Sequence, residues 1–346
     1  MIGRAFSALD LPTFGGQSSP PLVPGQCLPL GFPLGNAEPE TTASFPLKIP
    51  ALLEALRPGQ WVKNVFVLAP LVFGLADRQS EELAEEAVLR TVLALLAFCA
   101  ASGAVYLLND VVDAERDRKH PEKCKRPIAS GRLSARTALL SAVCLAAAAL
   151  VLGPALSMSG LSVVIGIYLS INLAYSFGLK QVVLVDVFCI AFGFLLRVHG
   201  GGVASGATIS HWLYLCTLFL ALFLALNKRR VEVVALGEDR GQHRPNLEEY
   251  SVGFLDQLTT VLAATTILCY TMYTVDSETV AKFSGSYPLV WTVPFVVFGI
   301  ARYMLLVQTG RGGAEPARVL LGGDRLFLLN GLVWVAAVWL ALASGS

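Results

Sequence analysis

Of the 346 residues, 55% are hydrophobic and only 15% charged, with a mean hydropathy of +0.63. That balance excludes an ordinary soluble domain and indicates an all-α, polytopic membrane protein. A formal net charge of +1 identifies no partner, and no nucleic-acid partner is expected.

The chain opens with a stretch, residues 1–47, rich in Pro, Gly and Ser and without hydrophobic period. It is expected to be a disordered tail. It has no basic segment followed by a continuous apolar core, so it does not read as a signal peptide. Residues 48–346 are expected to form one membrane domain. Its first segment, ALLEALRPGQWVKN, is amphipathic and broken at Pro58-Gly59, with Arg57 and Trp61 placed either to anchor at the headgroups or to serve a site.

Nine apolar segments follow, centred on about 64–77, 88–108, 136–153, 159–176, 183–199, 211–227, 257–275, 287–306 and 325–343. Basic residues crowd the even-to-odd connections, from Arg116 to Arg132 and from Lys228 to Arg244, while the opposite set holds only Arg78 and Lys282. The positive-inside rule then predicts cytoplasmic even-to-odd loops and an outer C-terminus in a multi-pass cell (inner) membrane protein.

The most informative stretch runs from Tyr106 to Ser134, YLLNDVVDAERDRKHPEKCKRPIASGRLS. Asp110, Asp113 and Asp117 are spaced i, i+3, i+7, so a helix presents them on one face beside Asn109. Hard oxygen ligands at a membrane exit suit Mg²⁺, which accepts one or two carboxylates and completes its shell with phosphate oxygens. Arg116, Arg118, Lys119, Lys123, Lys125, Arg126 and Arg132 follow, so cations for phosphate stand beside acids for the metal. The pattern predicts a cytoplasm-facing diphosphate site.

Further along, Tyr175 and Lys180 mark the exit of the fourth segment, where Lys180 is placed either to bind phosphate or to snorkel. Asp186 and Arg197 lie eleven residues apart inside the fifth, too far to pair with each other. Ionisable groups at that depth face a cavity or a partner. The glycine-rich HGGGVASG after Arg197 matches no phosphate-binding fingerprint and is expected to be an outer turn. Lys228, Arg229 and Glu232 leave the sixth segment as a second charged rim, and Tyr250 lies near it. Seven scattered cysteines contain no CxxC, and four histidines show no ligand spacing. Neither a zinc site, a disulfide framework nor a covalent protein nucleophile is suggested.

NDVVDAERD followed by KCKRPIASGRLS resembles the UbiA superfamily of intramembrane prenyltransferases, in which an Asn-Asp-x-x-Asp-x-x-x-Asp helix end precedes a basic Arg-Pro-Ile loop. LRPGQWVKNVFVLAPL, DRKHP, AYSFGLK, LNKRRVE and EEYS are similar to a narrower branch, the decaprenyl-phosphate phosphoribosyltransferases. The resemblance covers roughly residues 50–343. It implies a bundle of about nine helices around a cytoplasm-facing cavity. It also implies transfer of 5-phosphoribose from phosphoribosyl diphosphate to a polyprenyl phosphate lipid, supplying envelope arabinan. By that resemblance Asn109, Asp110, Asp113 and Asp117 hold Mg²⁺, or Mn²⁺, and the leaving diphosphate. Lys63, Asn64, Arg118, Lys123, Arg126, Tyr175 and Lys180 serve the donor phosphates, and Lys228, Arg229 and Glu232 complete the pocket. A second aspartate-rich motif typical of the superfamily is replaced by NKRRVEVVALGED. Two alternatives are an aromatic prenyltransferase making a quinone or haem precursor and a transporter of a phosphorylated solute.

Overall fold

The computed structural model describes residues 50–74, 81–120, 122–237, 245–281, 286–310 and 324–344. They belong to a compact unit running from Ser44 to Ser346. The tail expected over 1–47 lies outside the described residues, as do Arg78, Arg240, Arg244 and Lys282. Among the described residues there are helices and turns and no strand.

The short helix α1, Ala51–Ala55, leads into an eleven-residue 3₁₀ helix, Pro58–Leu68, which passes into α2, Ala69–Gly74. Then come α3 (Glu81–Val112), α4 (Ala114–Lys119), α5 (Ala135–Ala155), α6 (Ser159–Phe177) and α7 (Val185–Ser205). The chain ends with α8 (His211–Leu236), α9 (Val252–Val275), α10 (Ser277–Ala281), α11 (Val293–Gln308) and α12 (Arg325–Ser344). Serine caps start three of the long helices: Ser134, Ser210 and Ser251 accept the N–H groups of Thr137, Leu213 and Phe254 at 3.1, 3.2 and 3.1 Å. Each satisfies an amide that the first helical turn leaves without a backbone partner.

Eight helical spans among the described residues are long and apolar enough to cross a membrane. They match the second to ninth expected segments. The first, 64–77, differs: it is the end of the 3₁₀ helix plus α2, and 75–80 lie outside the described residues. Pro70 explains where the α-helix can begin, because it lacks an N–H and is tolerated only in a first turn. A 3₁₀ run of this length is uncommon and marks a segment held by its surroundings rather than by propensity.

α7 is the hub. Val187, Ala191 and Phe194 on it pack with residues of α8, α9 and α11, while Ala204 joins Phe98, Leu161 and Ile165 of α3 and α6. A third cluster joins Ala55, Leu107, Ile128, Leu133 and Ala138, fixing the loop after α4 against α1, α3 and α5. Leu140 and Val143 of α5, Val163 of α6, and Leu332 and Trp339 of α12 are exposed, as a lipid-facing surface requires.

The glycine-rich stretch is not a turn. Gly200, Gly201 and Gly202 lie within α7, and the helix ends only at Gly206, whose φ of +69° closes it in left-handed geometry. A Cβ on Gly200 would stand 2.5 Å from the Phe98 ring, and one on Gly201 2.0 Å from the Val67 carbonyl oxygen. Small residues are kept here because neighbouring backbone lies against the helix. Gly201→Ala is therefore expected to destabilise the protein by about 2–3 kcal/mol through overpacking. Gly331→Ala on α12, where a Cβ meets nothing within 4 Å, should be close to neutral. Thermal denaturation of the two variants in one detergent checks the difference.

Candidate active site

The carboxylates are set by the way α3 ends. The helix breaks at Asp113, with φ −92° and ψ 3°, and resumes as α4. The i→i−4 ladder continues across the break: Asp113 N–H donates to Asn109 O and Asp117 N–H to Asp113 O, both at 2.9 Å. The helical spacing therefore survives, and Asn109, Asp110, Asp113 and Asp117 all line one cavity of about 470 Å³. Ser176 of α6 donates to Asn109 Oδ1 at 2.6 Å and orients its amide.

Each aspartate meets a cation from another part of the chain. Arg126 Nη1 donates to Asp117 Oδ2 at 2.6 Å and to Asp110 Oδ1 at 3.2 Å. Arg57 also donates to Asp110 Oδ1. Lys180 reaches both oxygens of Asp113, at 2.7 and 2.9 Å. The loop aims Arg126 inward by burying the residues after it. Ile128 is 3% exposed, Leu133 N–H donates to Pro127 O at 2.9 Å, and Gly131 turns the chain with φ +79°. Arg132 closes the far side, donating to both oxygens of Glu54 at 2.6 and 2.8 Å.

Whether this donor set suits a divalent cation can be tested on the carboxylates. All three are hard oxygen donors on one cavity, and Asp110 Oδ2 is buried without a hydrogen-bond partner among the described residues. No group of three or more acidic, His or Cys side chains converges on one point among the described residues. The set fits an ion held by one or two carboxylates and by substrate phosphates, not an all-protein cage.

A second, inner cavity of about 250 Å³ adjoins the first and shares Tyr106, Asn109 and Tyr175 with it. Its walls are largely apolar, with Phe66, Val105, Phe194 and Leu224. Its lining includes three cations, Lys63, Arg197 and Lys228, and no carboxylate. Arg197 is 5% exposed and held by neutral groups: Asn64 Oδ1 at 2.7 Å, Gly193 O at 2.7 Å and Tyr168 OH at 3.0 Å. Its guanidinium also lies 4.8 Å from the centre of the Tyr168 ring.

Most sequence-expected residues thus meet. Asn109, the three aspartates, Lys123, Arg126, Tyr175 and Lys180 line the outer cavity, while Lys63, Arg197 and Lys228 line the inner one. Four depart from expectation. Asn64 lines neither cavity; it is buried and supports Arg197 while donating to Ser102 Oγ at 3.2 Å. Arg118 is exposed and directs Nε to Ala129 O at 3.3 Å, and Arg116 and Lys119 line the cavity in its place. Arg229 and Glu232 pair with each other and line neither cavity.

Arg229 belongs to a buried network instead. Its Nε donates to Asp186 Oδ2 at 2.7 Å, and Tyr250 OH donates to Asp186 Oδ1 at 3.1 Å. Burial pushes the Tyr250 hydroxyl up to about 12, so it remains a donor at neutral pH. It also accepts the Leu184 N–H at 2.8 Å, where the chain enters α7 at φ +65°. Arg57, which the sequence left open between an interfacial anchor and a site role, is the cation that sequence reasoning did not assign. It stands directly before the Pro-Gly break, with its backbone at φ +53°, ψ +64°.

The UbiA prenyltransferase family model matches residues 67–331. A decaprenyl-phosphate phosphoribosyltransferase of Corynebacterium glutamicum is 36% identical over 318 residues, covering 89% of this chain and 93% of that protein. The protein of the same name from Mycobacterium tuberculosis H37Rv is 35% identical, covering 86% and 96%. Among solved structures, a UbiA homolog from Archaeoglobus fulgidus bound to DMAPP and Mg²⁺ superposes with a TM-score of 0.63 at 19% identity. That match covers 85% of this chain and 99% of the archaeal one.

Proposed function

The chain belongs to the UbiA prenyltransferase family, and from that premise we propose that it transfers 5-phosphoribose from phosphoribosyl diphosphate to a polyprenyl phosphate. The observation that carries this reading is the extent of the similarity to the two phosphoribosyltransferases, which covers 89% and 86% of this chain and 93% and 96% of theirs. The geometry supports it. Here the inner chamber carries three cations and no acid, a lining suited to a second phosphate.

In this reading the outer cavity takes the donor. Asp110, Asp113 and Asp117 would supply the one or two carboxylates that hold a divalent ion, Mg²⁺ or Mn²⁺, and the ion when bound would neutralise negative charge on the departing diphosphate. Arg126, Lys123 and Lys180 stand on the same wall to neutralise its oxygens. The inner cavity takes the lipid phosphate, with Lys63, Arg197 and Lys228 around it and the polyprenyl chain in the grooves between helices. One ionised phosphate oxygen attacks C1 of the ribose while the C1–O bond to the diphosphate breaks. The attacking oxygen is already anionic, so no general base is required, and attack opposite the leaving group inverts C1. The product is a lipid-linked pentose phosphate for envelope arabinan. The basic residues on one set of connections support a site at the cytoplasmic face of the cell membrane and an outer C-terminus.

Donor choice tests the proposal. Purified protein given a divalent ion should convert phosphoribosyl diphosphate and polyprenyl phosphate to a lipid heavier by one phosphoribosyl unit, read by mass spectrometry. Turnover of geranyl diphosphate with an aromatic acid instead would assign the chain to the aromatic prenyltransferases. A finer expectation concerns Arg197. Arg197→Leu should raise KM for the polyprenyl phosphate by about tenfold or more, the scale of one charged hydrogen bond lost, and leave KM for the donor within about threefold.

A further inference from the structure

Most of the carboxylate oxygens that a divalent ion would need already accept from a cation, and Asp110 Oδ2 is the buried one without a partner among the described residues. Asp110 Oδ1 accepts from both Arg57 and Arg126, Asp117 Oδ2 accepts from Arg126, and both oxygens of Asp113 accept from Lys180. A divalent ion at ligand distance from these oxygens, about 2.1 Å for Mg²⁺, would lie beside guanidinium and ammonium groups of like charge. That repulsion is large where the carboxylates are as enclosed as Asp110 and Asp117, whose side chains are 3% and 6% exposed. The metal alone is therefore a poor ligand for this site.

The cations have somewhere to go when the metal arrives with an anion. Arg57 and Arg126 line the same cavity as the carboxylates, each with a side chain 29% exposed, so water and phosphate reach them. A guanidinium binds phosphate through two parallel N–H groups as readily as it binds carboxylate. Arg57 also holds a left-handed backbone, which a non-glycine residue rarely adopts. Backbone strain of this kind persists where surrounding contacts hold it, here the bond to Asp110 and the ring of Tyr106, 5.3 Å from the guanidinium carbon.

We propose that Arg57 and Arg126 are exchangeable counter-ions: they neutralise the carboxylates in the ligand-free site and pass to phosphate oxygens when a divalent ion binds Asp110 and Asp117. Metal and diphosphate then bind strongly only together. Arg57 becomes a further donor-binding residue, and the site is protected from idle occupation by either ligand alone. The inference rests on the reading of the outer cavity as a metal–diphosphate site but not on which group the diphosphate carries.

The test measures binding, with Mn²⁺ as the metal and inorganic pyrophosphate as the anion, on purified full-length protein in detergent. Electron paramagnetic resonance titration should show that pyrophosphate tightens Mn²⁺ binding to the wild type by about tenfold or more, within the usual range of coupling between sites. Linkage requires Mn²⁺ to tighten pyrophosphate by the same factor. In Arg126→Gln, and to a smaller degree in Arg57→Gln, Mn²⁺ alone should bind tighter than to wild type and the coupling should shrink. Arg126→Lys, which keeps the charge, should retain most of it. If Arg126→Gln does not fold, Arg57→Gln answers the same question from the other cation on Asp110. Equal Mn²⁺ affinity with and without pyrophosphate in the wild type would overturn the proposal. So would folded glutamine variants that bind Mn²⁺ alone no tighter than wild type. A protein that shows the coupling but fails to transfer phosphoribose would leave this inference standing and remove the proposed donor.

Discussion

Asp113→Ala is expected to lower kcat/KM for the transfer by about 10³, the loss seen when one preorganised charge-stabilising group is removed. The fold should survive it. Asp113 is the most exposed of the three aspartates, at 28%, and sits in a helix break rather than in a packed face. Its partner Lys180 lies in a short 3₁₀ turn on the cavity wall, outside the packed helix faces. Asp110→Ala should fail in two ways, because it strips an acceptor from both Arg57 and Arg126 as well as removing a ligand. Initial rates measured beside thermal denaturation separate the two cases: Asp113→Ala should lose turnover at nearly unchanged Tm, Asp110→Ala should lose both.

The opposite pattern is expected at Asp186. Asp186→Ala should destabilise the protein by about 3–5 kcal/mol, the effect of removing one partner from a buried ion pair. Asp186 is fully buried and Arg229 2% exposed, so neither finds water as a substitute, and after the substitution Arg229 keeps only the partly exposed Glu232 among its carboxylate partners in the described residues. The loss also takes the acceptor from the Tyr250 hydroxyl, which still accepts from Leu184, the left-handed residue that starts α7. Tyr250→Phe should cost about 1–2 kcal/mol, since one hydrogen-bonded hydroxyl goes while the ion pair stays. A double variant, Asp186→Leu with Arg229→Met, should recover much of the single loss, because well-packed apolar residues often replace a buried pair without penalty. Urea or thermal unfolding in detergent orders the three variants.

The contrast between these two aspartates shows how much the sequence could reveal. The outer site was legible because its signal is local. Spacing of i, i+3 and i+7 puts three carboxylates on one helical face, and the break at Asp113 leaves the ladder intact. The eight long spans were legible for the same reason, each being a continuous apolar run of membrane length. The features that escaped depend on helix rotation or on a distant neighbour. Lys228 and Arg229 are adjacent, and a turn of about 100° per residue sends one to the cavity and the other to Asp186. Arg116, Arg118 and Lys119 divide in the same way. Gly200–Gly202 looked like a turn because glycine is a weak helix former. Only Phe98 and Val67, about a hundred residues upstream, show why a helix needs it. Segment 64–77 has the composition of a membrane helix, and no local signal marks its first part, up to Leu68, as 3₁₀.

Cleavage of phosphoribosyl diphosphate at C1 in the outer cavity, with delivery of the sugar to a lipid phosphate, can be followed by a double-label transfer. The donor carries ¹⁴C in the ribose and ³²P in the β-phosphate, and the acceptor is an unlabelled polyprenyl phosphate in detergent with Mg²⁺. The ¹⁴C should enter the organic phase, the ³²P should stay in water as diphosphate, and Asp113→Ala should abolish both changes. Both labels in the organic phase, or neither with an active aromatic prenyl transfer in the same preparation, would contradict that reaction.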